Sequence, residues 1–150
     1  MSYDFLLKDL NNKLTQKSIG TDKGLAKIGD GVVNLTYSIA KSIVLTRNSK
    51  NNNSIRTGLK VSKTILANAL KEADMKSFAK NRSDAHDLAD TVEALVAYVW
   101  LIKKMTIEDI INFLVSSLNE NLIVRSEEIK NATIAFRKLL NEIKKFLPEN

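Results

Sequence analysis

Apolar residues recur along most of the chain at intervals of three and four, the period of a helix with one buried face. Phe5, Leu6, Leu7, Leu10 and Leu14 predict a short amphipathic helix over residues 3–14. Thr21 or Asp22 caps a second, where apolar residues at 25, 28, 32, 35, 39 and 43 carry the pattern to about residue 45. Residues 47–58, RNSKNNNSIRTG, are polar, Asn-rich and aperiodic, and read as a loop. Helical spacing returns over 59–73 through Val61, Ile65, Leu66, Ala69 and Leu70. Ser83-Asp84 caps a further helix that runs to about Lys104. Thr106-Ile-Glu-Asp opens another as a capping box with Asp109 in the usual Glu place. Ser126-Glu-Glu opens the last, which ends before Pro148. Six helices and no convincing strand predict an all-α fold in one domain, residues 1–150, with no internal repeat.

Composition narrows the chemistry. The 150 residues include no Cys and one His, which excludes disulfides, Cys-ligated zinc, Cys nucleophiles and multi-His metal sites. The formal net charge of +6 suits an anionic partner such as RNA, DNA or a membrane surface. The longest apolar run, residues 94–102, is far short of the ~20 residues that span a bilayer. The start, MSYDFLLKDL, has no basic segment of the signal-peptide kind, so a cytoplasmic protein is expected.

Two helices carry acid off their main apolar stripe. On the second helix Ile28, Val32, Leu35 and Ile39 form the stripe expected to face the core. The opposite face holds Ala26, Asp30, Val33 and Tyr37, small and apolar around one acid, with Gly29 allowing close approach of another backbone. On the helix from Asp84 the stripe is Leu88, Val92, Leu95, Val99 and Ile102, and the other side holds His86, Asp90, Glu93 and Ala97. The next turn is apolar all round, so this helix is expected to be central. Tyr98 and Trp100 lie there and read as core. Asp90 and Glu93, at i,i+3, are like charges on one face, unfavourable unless a cation lies between them. One acidic cluster of Asp30, Asp90 and Glu93 would take a hard cation, Mg²⁺ or Mn²⁺. The alternative is that these acids pair with Lys or cap backbone.

The segments around those acids resemble ribonuclease III. The family's first signature runs roughly E-R-L-E-F-L-G-D-A-V-L, and residues 23–33 here read KGLAKIGDGVV. Its second acidic segment, roughly L-A-D-x-x-E-A-L-I-G, is matched by LADTVEALVA at residues 88–97. Between them Thr57-Gly58-Leu59-Lys60-Val61-Ser62 looks like the start of the family's intervening helix. The resemblance covers about residues 20–120. It is closest in plan to the short archaeal type without a double-stranded-RNA-binding domain, similar to bacterial Mini-III. It implies a helical endonuclease domain acting as a homodimer on double-stranded or structured RNA. It also implies two Mg²⁺ (or Mn²⁺) ions, one activating water and one stabilising the leaving 3′ oxygen, with 5′-phosphate and 3′-hydroxyl products. Carried over, Asp30, Asp90 and Glu93 match three of four catalytic carboxylates. Asp30 and Glu93 would be direct ligands and Asp90 would complete or orient the set. The fourth position falls on Ala26, as it also does in Mini-III-type sequences. Lys23 stands for the first signature Glu, and Lys27 for the Phe that packs across the dimer. Asn34 and His86, each one turn from an acid, are candidates to support the site. The 47–56 loop, with Arg47, Lys50 and Arg56, is a candidate RNA contact. The alternative function is a catalytically silent ribonuclease-III-like module that binds RNA or a ribonucleoprotein; a plain dimeric scaffold leaves the acid pair unexplained.

Overall fold

The structure is a computed structural model and describes residues 2–10, 14–51, 53–118 and 121–149. Among the described residues it contains six α-helices and no strand: α1 (Gln16–Gly20), α2 (Lys23–Arg47), α3 (Lys63–Glu72), α4 (Ala85–Leu101), α5 (Ile107–Ser117) and α6 (Arg125–Ile143). The all-α expectation holds.

The central helix is α4, as its unbroken apolar run predicts. Ala94, Leu95, Val96, Ala97 and Val99 have no exposed surface. Helices α1, α2, α3 and α6 all pack against it. It starts at a capping box in which Asp84 accepts from the Asp87 N–H and Asp87 accepts from that of Asp84. It ends three residues before Lys104. Lys103 turns into the left-handed region (φ 62°), the Lys103 N–H donates to the Trp100 carbonyl and the Lys104 N–H to that of Val99. This is a Schellman ending made without the glycine that usually marks it. Asp74 ends α3 the same way.

The face of α2 assigned to the core is corrected. Ile28 (36%), Leu35 (51%) and Ile39 (37%) are exposed, and of that stripe only Val32 is buried. The buried face is the small one: Ala26, Gly29, Val33, Tyr37, Ala40 and Val44. Backbone proximity decides this. A Cβ built on Gly29 would lie 1.7 Å from the Glu93 carbonyl oxygen, so α2 and α4 cross where only glycine fits. Large side chains cannot occupy that seam, and the bulky stripe turns outward.

Three local expectations also change. Of the helix predicted over residues 3–14, the structure shows a 3₁₀ turn at Asp4–Leu7, Leu14 is not helical, and residues 11–13 lie outside the described residues. Helix α1, not anticipated, starts at a Thr15–Ser18 capping box. Residues 59–61 are not helical, and the segment 55–61 leading to α3 is instead held by side chains of α2. The Ile55 N–H donates to Thr46 Oγ1 (2.9 Å), the Thr57 N–H to Ser42 Oγ (3.0 Å) and the Val61 N–H to Asn34 Oδ1 (2.8 Å). Ser62 then caps α3.

A buried ion pair fixes α6 to α2. Glu128, 3% exposed, meets Lys41 Nζ at 2.6 Å and accepts from the Tyr37 hydroxyl at 2.7 Å and from Arg125 at 3.0 Å. Burial would raise its carboxyl, but hydrogen bonds from Lys41, Tyr37 and Arg125 outweigh it and hold it below the usual value. Removing one partner strands the other in the interior. Glu128→Ala is therefore expected to cost about 3–5 kcal/mol, read as a fall in the thermal midpoint of roughly 10 °C. A loss within about 0.5 kcal/mol, as at an ordinary surface site, would show that the pair is dispensable.

Candidate functional site

The acids gather between two helices. A cavity of about 470 Å³ opens between the N-terminal halves of α2 and α4 and the start of α3. Helix α2 contributes Lys23, Ala26, Lys27 and Asp30; the α3 approach contributes Lys60, Val61, Lys63 and Leu66; α4 contributes His86, Asp90 and Glu93. All three predicted acids thus line one space. The basic rim of Lys60 and Lys63 was missed in the sequence. The only signal for it was a pair of lysines flanking the Ser62 cap, on a segment read as plain helix.

Gly29 explains why Asp30 meets Glu93. The close crossing of α2 on the Glu93 backbone places the next residue, Asp30, beside the Glu93 side chain. The two carboxyls line the same cavity and shift each other's proton affinity. Glu93 is 8% exposed. Burial, then the hydrogen bond and charge of Asp30, push its carboxyl up to about 8. Asp30 moves the other way, held down first by its hydrogen bond with Glu93 and then by Lys60, Asn34 and Lys63. Glu93 therefore keeps the proton and Asp30 the charge. Asn34 is a support residue: its Nδ2 donates to Asp30 Oδ1 (3.2 Å), and its own Oδ1 accepts the Val61 N–H.

Asp90 stands apart from that pair. Its Oδ2 accepts from Lys23 Nζ at 3.0 Å, and His86 Nε2 lies 3.6 Å away. The Lys63 ammonium contacts Nδ1 of His86. Lys23 also lies 3.9 Å from Asp87, which Lys80 approaches to 3.3 Å. Among the described residues no group of three or more His, Cys, Asp or Glu side chains stands close enough to hold a metal ion as arranged. The donors still suit a hard cation at the Asp30–Glu93 pair. Two carboxyls side by side, one forced to retain its proton, are the arrangement that a divalent ion relieves.

The 47–56 loop is elsewhere. Arg47 and Arg56 line a separate cavity of about 810 Å³ with Ile39, Ile43 and Ile55. Arg47 is about 25 Å along α2 from Asp30 at 1.5 Å per residue. Tyr98 is buried and Trp100 half-buried, the latter against Tyr3 (ring centroids 5.8 Å), so neither presents a free stacking face.

The raised Glu93 carboxyl gives a pH dependence. The folded protein binds this proton more tightly than the unfolded chain, so its stabilising contribution is full below about pH 4.5. It is lost as pH rises through about 8. Metal-free protein is expected to melt at lower temperature at pH 9 than at pH 5, and Glu93→Gln is expected to flatten that trend. An equal slope in the variant would assign it to another group.

Fold and site together define an all-α protein with a buried glutamate beside a part-exposed aspartate in a lysine-rimmed cleft. Residues 23–148 match the family described as Ribonuclease III, which covers most of the chain, and the protein belongs to that family. Membership suggests endonuclease action on RNA. No curated protein matches the chain. No helix among the described residues is long and apolar enough to cross a membrane.

Proposed function

We propose that the chain is a cytoplasmic, Mg²⁺-dependent endoribonuclease that hydrolyses phosphodiester bonds of double-stranded or structured RNA, leaving 5′-phosphate and 3′-hydroxyl ends. The observation that carries this reading is the Asp30–Glu93 carboxyl pair at the base of a cleft rimmed by Lys23, Lys27, Lys60 and Lys63. Asp30 and Glu93 would hold the divalent ion, Mg²⁺ or Mn²⁺, and Asp90 would orient the set. When bound, the ion supplies a Lewis acid that makes water nucleophilic near neutral pH and offsets charge on the phosphate. The protein's own groups do the rest. Lys27, Lys60 and Lys63 draw in the phosphate backbone, a grip that weakens steeply with salt. Asn34 fixes the Asp30 carboxylate, and His86 fixes Asp90. Duplex RNA is then read by shape through phosphates and 2′-hydroxyls. Metal-dependent cutting of duplex RNA that is lost in Glu93→Gln tests the reading.

The homodimer belongs to the same proposal. Ile28, Leu35 and Ile39 form an exposed apolar stripe on α2, and Leu59 (48% exposed) shares a shallow hollow with Leu35 beside the Arg47–Arg56 cavity. A second copy of this chain is the occupant that the family reading requires. Leu35→Glu is expected to convert a dimer to a monomer in sedimentation; a wild-type monomer would remove the dimer from the account.

One observation favours the silent RNA-binding module as a second reading. Ala26 offers no ligand, and Asp90 is engaged by Lys23. Under that reading duplex RNA binds equally in EDTA and to Asp30→Asn, and is never cut.

A further inference from the structure

We propose that Lys23 is a positioning residue whose ammonium fills the place of a second cation, so that this site takes one divalent ion, on Asp30 and Glu93. The inference rests on the metal-dependent reading above and departs from the two ions that the family resemblance implies.

The acids divide into two halves. Asp30 and Glu93 line the cleft side by side, where α2 crosses the Glu93 backbone at Gly29. Asp90 and Asp87 face a different partner, Lys23, whose Nζ lies 3.0 Å from Asp90 Oδ2 and 3.9 Å from Asp87 Oδ1. The fold fixes where the backbone of that lysine stands. It is the first residue of α2, directly after the Asp22 cap. Ala26, one turn on and buried, lies between Lys23 and Asp30 on the cleft side and offers no oxygen.

Two ions ~3.5–4 Å apart need carboxylates for each and at least one between them. Here Asp87 is committed to the Asp84 backbone and Lys80. Asp90 is committed to Lys23. What is left is a donor set for one ion. A second divalent ion would have to enter beside the Lys23 ammonium.

The test counts ions and needs no substrate. Mn²⁺ alone is titrated into the full chain near pH 8, with free ion read by electron paramagnetic resonance and bound ion by equilibrium dialysis. One Mn²⁺ per protomer is expected for wild type and for Lys23→Arg, which keeps the charge. Two are expected for Lys23→Met, the second weaker, because Asp90 is then released to serve as a ligand. Lys23 has a largely exposed side chain, so circular dichroism should show both variants folded. Two ions in wild type, or one in Lys23→Met, would overturn the role of Lys23 and leave the metal-dependent reading standing. No ion in wild type would remove that reading and this inference with it.

Discussion

Glu93→Gln is expected to lower cleavage of duplex RNA by more than about 100-fold, since residues that merely support metal ligands already cost 10–100-fold when removed. The same change should leave the metal-free fold as stable as wild type near neutral pH, or more so. The reason is the raised carboxyl: with its proton held up to about 8, Glu93 already presents a neutral, hydrogen-bond-donating group to Asp30 at neutral pH. The Gln amide has the same shape and donates to the same oxygen. What it cannot do is become the anion that a cation requires. Loss of cutting with an unchanged melting temperature separates chemistry from folding. A variant that cuts like wild type would take Glu93 out of the site, and one that unfolds would show the carboxyl to be structural.

Gly29→Ala is expected to be the most damaging small substitution in α2. Its Cβ would meet the Glu93 carbonyl oxygen at 1.7 Å, and backbone on both helices must shift to admit it. Overpacking in a core typically costs 1–3 kcal/mol, and contact with rigid backbone puts this case at about 3 kcal/mol or above. Gly31, two residues on, has nothing within 4 Å of its own built Cβ. Gly31→Ala should therefore stabilise the helix by about 0.5–1 kcal/mol through backbone entropy alone. Opposite signs in urea melts of the two variants are the expected result. Equal effects would mean that α2 and α4 do not cross at Gly29. Because that crossing also sets Asp30 beside Glu93, Gly29→Ala should reduce cleavage beyond what the unfolded fraction explains.

These two glycines show what the sequence made legible. The three acids on two helices were readable from helical spacing, and they do line one cleft. The central helix was readable from its all-round apolar composition. The orientation of α2 was not, because hydrophobic size favoured Ile28, Leu35 and Ile39 while the deciding factor was backbone clearance at Gly29. Clearance depends on the partner helix, which no local pattern contains. The end of α4 was obscured for a related reason: Lys103 adopts the left-handed turn that a glycine would have announced. Residues 59–61 kept a helical pattern but are not helical, and the Val61 N–H goes to Asn34, a tertiary partner 27 positions away in sequence. The pairing of Lys23 with Asp90 is of the same kind, joining residues 67 positions apart.

The central claim is that the Asp30–Glu93 pair cuts RNA with a divalent ion. The most direct measurement is incubation of a labelled RNA duplex several helical turns long with wild type and Glu93→Gln, each in Mg²⁺ and in EDTA, followed by analysis of the ends. The account predicts cutting by wild type in Mg²⁺ alone, with 5′-phosphate and 3′-hydroxyl ends. Cutting that survives EDTA or the Gln substitution, or duplexes left intact by wild type in Mg²⁺ and in Mn²⁺, would contradict it.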